Sequence, residues 1–423
     1  MNRGFYIIMA AQFFSSLADN ALLIVSIALL ATMQAPEWMT PMLKLFFVLS
    51  YVVLAGFVGA FADAFPKGRV MFITNLVKVC GCLMMFLHVH PLLAYAMVGF
   101  GAAAYSPAKY GILTELLPAE KLVAANGWIE GLTVLSIIFG TVLGGALVSP
   151  QFAASLPQVL LPVISMPGDA PTEIALSVIM VSYILASLFN LKIPDTGAHY
   201  PNQEHSPIKL IVDFSHCFIT LWRDRLGQIS LAVTSLFWGA GATLQFIVLK
   251  WAEKALNMPL DKAAVLQGVV ALGVAFGAMS AARLVPLKKS LTVMPLGFAM
   301  GLVVILMTMA HSVWLAYPLL VIVGALSGYF VVPMNALLQH RGHVLMSAGH
   351  SIAVQNFSEN LSILLMLGLY ALMVKLDLDV YIVIIAFGLF VAGSMLIIMK
   401  KHAANQREYD SMHLIGEQKH VGT

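Results

Sequence analysis

The chain has 423 residues, of which 60% are hydrophobic and only 10% are charged. Soluble domains carry roughly 25% charged residues, so this composition excludes an ordinary soluble protein and indicates a polytopic membrane protein. The three cysteines, Cys80, Cys82 and Cys217, offer neither a disulfide framework nor a paired metal-binding motif. We expect no cofactor, no metal and no nucleic-acid partner.

Twelve segments are apolar over the roughly 20 residues that a membrane-spanning helix needs. The first, after Arg3, resembles a signal peptide but lacks a small-residue cleavage pattern, so we expect an uncleaved first helix. The predicted spans are residues 4–33, 42–63, 69–88, 91–114, 121–148, 173–192, 227–251, 262–284, 289–310, 312–338, 346–374 and 378–399.

The longest polar connection follows the sixth span and contains PDTGAHYPNQEHSP, a turn-rich stretch that predicts an exposed linker. We therefore expect a six-helix half at 1–192, a linker at 193–226, a second six-helix half at 227–400 and a tail at 401–423. Most of the 23 Lys and Arg residues fall on one side of this topology, whereas the loop at 149–172 has none. By the positive-inside rule, both termini and the linker are predicted to be cytoplasmic.

Two segments, residues 98–131 and 323–360, share one pattern. Each runs from small residues through a proline (Pro107 or Pro333) into a polar turn, which we place at 339–343 in the second copy. A helix with two polar residues four positions apart follows, so that both lie on one helix face. These pairs are Asn126 with Glu130 and Gln355 with Glu359. The pattern indicates an internal repeat, as expected for transporters built from two similar halves around a midplane site.

The segment GAFADAFPKGR after the second span resembles the loop motif of the major facilitator superfamily. Gly59 would allow close helix contact, and Asp63 with Arg69 could form a charge network that closes the cytoplasmic side. We therefore assign Gly59, Asp63, Lys67 and Arg69 to a conformational gate. The alternative is that Lys67 and Arg69 only anchor the helix end at the cytoplasmic surface.

Charged residues inside spans are expensive and are functional candidates by default. Asp19 and Asn20 lie near the middle of the first span, and Lys78 in the third span is the candidate partner of Asp19. A purely structural salt bridge is the alternative for this pair. Lys109 lies nearer the cytoplasmic end of the fourth span, so snorkelling to the headgroups is equally open.

The remaining candidates are less specific. Glu130 and Glu359 are predicted functional carboxylates with amide neighbours, whereas Glu115 is close to the interface. His340, His343 and His350 surround one predicted loop without a metal-ligand spacing, so we expect them to face solvent. Aromatic residues enrich two C-terminal spans and are either ordinary core or a wall for an acyl chain: Phe237, Trp238, Phe246, Tyr329 and Phe330.

Several strings, among them AQFFSSLADNALL (11–23), GAAAYSPAKYGILTEL (101–116), TSLFWGAGATLQF (234–246), GYFVVPMNALLQHRG (328–342) and SAGHSIAVQNFSEN (347–360), resemble the bacterial lysophospholipid transporter family of the major facilitator superfamily. The resemblance implies a flippase that moves lysophosphatidylethanolamine and lysophosphatidylglycerol from the outer to the inner leaflet of the inner membrane. It also implies functional coupling to an acyltransferase with acyl carrier protein synthetase activity. The family pattern has an arginine where this chain has Gln245, so head-group preference could differ.

On residue chemistry, Asp19 and Glu130 suit an amine or a coupled cation, and Lys109, with Lys78 as second choice, suits a phosphate. The complete set of predicted substrate-binding residues is Asp19, Asn20, Lys78, Lys109, Glu130, Gln245, Gln355 and Glu359.

Other functions are left open by the sequence. The first is a proton-coupled exporter of drugs or small amphiphiles, with Asp19, Glu130 or Glu359 as the titrating group. A membrane-embedded acyltransferase and a non-transporting scaffold are further classes. No nucleophile or acid/base motif is recognisable, so we predict a protein that is not an enzyme. No glycine-rich loop ending in Gly-Lys-Ser/Thr occurs, which argues against an ATP-driven pump.

Overall fold

The computed structural model describes residues 3–36, 39–149, 171–198, 200, 206–258 and 260–416. Within these ranges the regular structure is entirely helical, with fourteen α-helices and four short 3-10 helices. The all-α architecture predicted from the composition is therefore confirmed. The predicted loop at 149–172 lies almost wholly outside the described residues.

Seven helices precede the central linker, and most of them are apolar on all sides, as helices buried in a membrane are. Their bounds are α1 Arg3–Thr32, α2 Met39–Val53, α3 Ala55–Ala64, α4 Lys67–Phe86, α5 Pro91–Leu116, α6 Leu122–Leu147 and α7 Pro171–Asn190.

The other seven helices begin within the linker and continue to the tail. Their bounds are α8 Pro207–Arg223, α9 Gly227–Ala255, α10 Leu260–Leu284, α11 Met294–Ile305, α12 Val313–Leu345, α13 Ala348–Lys375 and α14 Val380–Glu408. Side chains cap two of these helices: Ser347 accepts a hydrogen bond from the amide of His350 at 3.4 Å, and Asp379 accepts one from the amide of Tyr381 at 2.8 Å.

Ten helices of the described part are long and apolar enough to cross a membrane, and the bent pair α2 and α3 raises the number to eleven. The predicted second span is thus two helices with a 66° bend between them. The helix at the place of the predicted fourth span, α5, has 26 residues and contains Pro107. Together these helices occupy all twelve predicted positions.

One helix was not anticipated, and one local prediction was wrong. Helix α8 occupies the second half of the predicted linker. The predicted turn at 339–343 is helical, because α12 continues to Leu345 and the chain breaks only at Met346 and Ser347. Three consecutive side chains of this last part of α12 make specific contacts that hold it in place: Gln339, His340 and Arg341.

The chain forms two compact units. Unit 1 consists of Met1–Ile112 and Leu135–Ile211, and unit 2 of Leu113–Val134 and Val212–Thr423. The first half of α6 thus belongs with the C-terminal helices, and the division of the sequence at residue 192 stays a prediction. Each unit has its own apolar core: the core of unit 1 includes Leu22 and Val98, and that of unit 2 includes Trp251 and Leu320.

Small residues let two helices of unit 2 approach closely. A Cβ on Gly277 of α10 would lie only 2.0 Å from the carbonyl oxygen of Ala325 in α12, and one on Gly328 would lie 2.1 Å from that of Val274. Close backbone contact of this kind is a common way to join helices in a membrane, where burial of apolar surface adds little.

Candidate functional site

The charged residues predicted inside the first and third spans form an ion pair in unit 1. The Nζ atom of Lys78 in α4 lies 2.8 Å from Oδ2 of Asp19 in α1. The hydroxyl of Tyr183 in α7 donates a hydrogen bond to Oδ1 of the same carboxylate at 2.7 Å. The predicted partnership of Asp19 and Lys78 is therefore confirmed, and both carboxylate oxygens have a donor.

Further polar groups surround the ammonium of Lys78. It donates to the hydroxyl of Ser15 at 3.0 Å, and Ser15 donates in turn to Oδ1 of Asn75 at 2.8 Å. The rings of Tyr105 and Tyr183 lie 5.0 and 5.7 Å from the ammonium, within the range of cation-π attraction. We call this set of six residues the charged cluster: Ser15, Asp19, Asn75, Lys78, Tyr105 and Tyr183.

The charged cluster is partly accessible at Asp19. Lys78 is 1% exposed, whereas the side chain of Asp19 is 20% exposed. Two buried donors of the cluster, Nδ2 of Asn75 and the hydroxyl of Tyr105, have no hydrogen-bond partner among the described residues. Buried polar groups are normally paired, so these donors and the accessible edge of Asp19 are suited to bind a polar ligand.

Close helix contacts hold the charged cluster in position. A Cβ on Gly101 of α5 would lie 2.8 Å from both Cγ of Lys78 and the carbonyl oxygen of Thr74. Glycine at this point therefore leaves the space that the Lys78 stem occupies. On the other side of α1, the hydroxyl of Ser136 in α6 donates to the carbonyl oxygen of Phe13 at 3.3 Å.

Unit 2 contains a second polar cluster with a different composition. The amide of Gln355 in α13 donates to Oε1 of Glu359 at 2.7 Å and to Oδ1 of Asn335 in α12 at 3.2 Å. All three residues are buried, and Oε1 of Gln355 is a buried acceptor with no partner among the described residues. We call these three residues the amide cluster.

A reciprocal pair of amides lies elsewhere in unit 2. Asn126 of α6 donates to Oε1 of Gln339 in α12 at 2.8 Å, and Gln339 donates back to Oδ1 of Asn126 at 3.0 Å. Both side chains are buried. Each amide satisfies the other, so the pair joins α6 to α12 without charge.

The other predicted substrate residues are distributed over both units. Lys109 is half-buried in α5, with its ammonium 4.1 Å from the ring centre of Tyr110. The amide of Asn20 donates to the carbonyl oxygen of Ser16 in its own helix at 2.8 Å. In unit 2, Glu130 is buried and Gln245 is half-buried.

The predicted gate residues show a different pairing from the expected one. Asp63 accepts from Lys67 at 2.6 Å, and both side chains are buried. Lys67 also donates to the carbonyl oxygen of Ala62 at 2.8 Å, and its ammonium lies 4.9 Å from the ring centre of Tyr200. Arg69, by contrast, is exposed. Lys67 therefore provides a cation for Asp63.

The prediction of solvent-facing histidines was wrong for two of the three. Nε2 of His340 accepts a hydrogen bond from the amide of Gly416 at 2.9 Å, and His350 lies 3.0 Å from the carboxylate of Asp213. Both residues are buried because the C-terminal segment and α8 cover this end of α12 and α13. No group of His, Cys, Asp and Glu within the described ranges could hold a metal ion.

The predicted aromatic wall is not one surface. Phe237 lines a small apolar cavity in unit 2 together with Leu244, Met300 and Phe387. Phe330 is instead buried in the core, and Phe246 stacks on Tyr370 at 6.2 Å between ring centres.

The residues that sequence reasoning missed are neutral. Tyr183, Ser15 and Asn75 complete the charged cluster, and Asn335 completes the amide cluster. Asn and Tyr within apolar spans were a usable signal, but only the fold shows which of them approach Asp19 or Gln355.

Comparison with known proteins defines the class. The sequence model of the Major Facilitator Superfamily matches residues 8–367 of the chain. The outward-facing structure of the transporter FucP has a TM-score of 0.71 at 12% identity and covers 95% of this chain and 98% of its own. An outward-facing bacterial homologue of the iron transporter ferroportin has a TM-score of 0.73 at 12% identity, with 96% and 100% covered. At this level of sequence identity, the two structures support the fold and nothing further.

Sequence relatives are much more similar. A protein of Yersinia enterocolitica named lysophospholipid transporter LplT is 43% identical over 90% of this chain and 89% of its own length. Proteins of the same name from Pectobacterium carotovorum and Photorhabdus laumondii are 42% and 40% identical, over 90% and 93% of this chain and 89% and 94% of their own. The chain therefore belongs to the lysophospholipid transporter family of the Major Facilitator Superfamily.

Proposed function

We propose that this protein carries lysophospholipids across the inner membrane, from the outer to the inner leaflet, by alternating access. The observation that carries the proposal is the buried pair of Lys78 and Asp19, with one carboxylate edge open, in a chain 40–43% identical to transporters of that name. A buried ion pair is weak evidence for stability, because desolvation offsets the attraction between the charges. Its presence in a membrane span therefore argues for a role in binding.

The head group of lysophosphatidylethanolamine carries an ammonium and a phosphate. Asp19 is our choice for the ammonium, because its side chain is 20% exposed while it is fixed by Tyr183. Lys109, half-buried in α5, is our choice for the phosphate, since the ammonium of Lys78 is held by Asp19 and Ser15. Charge-assisted hydrogen bonds to both head-group charges are the strong kind.

The acyl chain needs an apolar environment. Within unit 2 we propose the apolar residues beside Phe237 as part of its lining. The cavity between them is too small for an acyl chain in this structure, so a bound chain would have to separate these residues: Phe237, Ala240, Gly241, Leu244, Met300, Val304, Phe387 and Val391, with Ser327 as the polar member. The carboxylate of Glu359, in the amide cluster of the same unit, and the buried Glu130 are secondary candidates for the ammonium.

Alternating access requires contacts that open and close. We assign this role to the pair of Asp63 and Lys67, with Gly59 and Arg69 beside it in the same loop motif. The Lys and Arg distribution supports cytoplasmic termini, so this gate would close the cytoplasmic side. The product would then be available to an acyltransferase that re-acylates it in the inner leaflet.

The direct test is uptake of radiolabelled lysophosphatidylethanolamine into spheroplasts that lack their own transporter, with and without this protein. We expect uptake that depends on the protein and survives collapse of the proton gradient. Asp19→Asn should lower uptake at least about tenfold, the loss expected for one strong polar contact. The matched control is Glu253→Gln, since Glu253 forms an exposed pair with Lys250 at 2.9 Å.

Absence of uptake in correctly inserted protein would contradict the proposed substrate. Uptake that disappears with the proton gradient would keep the substrate but assign the driving force to a titrating carboxylate.

A further inference from the structure

Helix α8 has two apolar faces, and the described part of the chain covers only one of them. The inner face carries Phe214, Phe218 and Leu221, which pack against a small core that includes Leu338 of α12 and Val354 of α13. This face fixes α8 against the ends of helices that cross the membrane. It therefore needs no other partner.

The second face is an exposed apolar strip. Counted from Ile208, the other members lie 3, 4, 11 and 14 residues further along α8, close to whole helical turns, so they lie on one side of the helix. We call them the outer strip: Ile208, Ile211, Val212, Ile219 and Trp222, which are 76%, 50%, 48%, 44% and 38% exposed. Exposed apolar side chains gathered on one face of a helix mark a site that binds a protein or a membrane.

The position of α8 along the chain limits what can cover the outer strip. Only three residues separate its end at Arg223 from the start of α9 at Gly227. Asp224 in this connection accepts a hydrogen bond from the amide of Gly227 at 2.7 Å and pairs with Arg341 of α12 at 2.7 Å. Three to four extended residues reach only about 14 Å, so the end of α8 is held beside the end of a membrane-spanning helix.

The charged residues of α8 are also suited to a membrane surface. Lys209, His216 and Arg223 form an exposed edge next to the outer strip. The single carboxylate within α8, that of Asp213, lies on the other side of this edge and contacts His350 at 3.0 Å. Cations beside an apolar strip that ends in a tryptophan are typical of helices that lie in the interface of an anionic membrane.

We propose that α8 is an interfacial helix that inserts its outer strip into the headgroup region of the bilayer and binds anionic lipid headgroups through Lys209 and Arg223. The transported lipid is not the occupant of this surface. The helix instead attaches the ends of α12 and α13, next to Gln339 and Gln355, to the surface of the membrane. This inference is independent of the transported substrate.

The test uses spin labels on the full chain in nanodiscs. Cys80, Cys82 and Cys217 are replaced, and single cysteines are placed at Ile219 in the outer strip and at the adjacent Thr220, which is also exposed but lies on the polar edge. The ratio of oxygen to nickel-chelate accessibility is then measured by electron paramagnetic resonance. Thermal melting of each labelled protein confirms that it is folded.

With 30% phosphatidylglycerol in the nanodisc, we expect the ratio at position 219 to be at least several-fold higher than at position 220. With phosphatidylcholine alone, or after Lys209→Glu with Arg223→Glu, the difference should shrink at least twofold. Equal ratios at the two positions would show that the outer strip faces water, where it could bind a soluble protein. This result would overturn the proposal. Membrane burial that is independent of both lipid charge and the two cations would overturn the assignment of an anionic headgroup.

Discussion

The charged cluster of unit 1 and the amide cluster of unit 2 both place polar side chains inside apolar helices, but they pair these side chains differently. Lys78 and Asp19 bring two opposite charges into a membrane span, and Tyr183 and Ser15 provide the hydrogen bonds that burial requires. The amide cluster places one carboxylate, that of Glu359, beside the neutral side chains of Gln355 and Asn335. The desolvation cost is larger in unit 1, because two charges are removed from water there.

We propose that the two clusters have different roles in transport, which we call a division of labour. A zwitterionic head group gains most from fixed charges of both signs, which only the charged cluster combines. The amide cluster holds only one charged group, the carboxylate of Glu359, beside two neutral amides. We therefore expect substitutions in unit 1 to affect transport more than equivalent ones in unit 2.

Lys78→Met should have the largest effect. It leaves the carboxylate of Asp19 without its cation, and loss of one member of a buried pair typically costs about 3–5 kcal/mol. Uptake should fall about a hundredfold, equivalent to about 2.7 kcal/mol. Thermal melting in detergent and uptake in spheroplasts measure the two effects.

The double substitution Asp19→Asn with Lys78→Met separates folding from binding. It removes both charges, so we expect most of the lost thermal stability to return while uptake stays low. Uptake restored to the wild-type rate would show that the ion pair is purely structural, and the difference between the clusters would then have no functional meaning.

Gly101→Ala should have the next largest effect, because the added methyl group would lie 2.8 Å from Cγ of Lys78. Forcing extra volume into a packed site costs about 1–3 kcal/mol, and displacement of the ammonium should lower uptake about tenfold. Gly145→Ala is the matched control, since a Cβ there meets no atom within 4 Å. Equal behaviour of the two variants would argue against a tightly positioned Lys78.

Glu359→Gln tests the amide cluster. The new side chain has the same shape and still offers Oε1 to Gln355, so the stability change should stay below about 1.5 kcal/mol. We expect uptake to decrease only about two- to fivefold, because in our proposal the head group binds mainly to unit 1. A loss as large as that of Lys78→Met would contradict the division of labour between the clusters.

Asp379→Asn should have the smallest effect and serves as a reference outside both clusters. Lys254 and the amide of Tyr381 hold the pKa of this carboxyl below its usual value of 3.8. Because the folded-state pKa is lowered, the pair stabilises the protein above the ordinary pKa and loses its contribution as the pH falls below it. At pH 5 the wild type should therefore melt at a higher temperature than the variant. This difference in melting temperature should become smaller when the pH is lowered below about 4. A constant difference would mean that the ion pair adds nothing.

Much of the fold follows from the sequence, because spans of about 20 apolar residues have few alternatives to crossing a membrane. The bend between α2 and α3 and the continuation of α12 through 339–343 do not follow in the same way. Polar residues such as Gln339 and His340 predict a turn when read locally, whereas in the structure they lie in a continuous helix and contact Asn126 and Gly416. Helix α8 was not predicted, because it begins at the last residue of the turn-rich segment PDTGAHYPNQEHSP.

The charged residues of the candidate site could be predicted from the sequence. Asp19 and Lys78 are conspicuous in apolar spans, and their opposite charges predict the pair correctly. Tyr183 lies 164 residues from Asp19 in sequence, and nothing in its own surroundings indicates that contact. The same applies to Asn335, whose role depends on which face of α12 meets Gln355.

The most direct test of the central claim compares two head groups in one assay. Lysophosphatidylethanolamine carries an ammonium, whereas lysophosphatidylglycerol lacks one, so only the former should need the carboxylate of Asp19. Uptake of both lipids is measured for the wild type and for Asp19→Asn. We predict that the variant loses uptake of the ethanolamine lipid at least about fivefold more than that of the glycerol lipid. Equal losses for the two lipids would contradict a role of Asp19 in binding the ammonium.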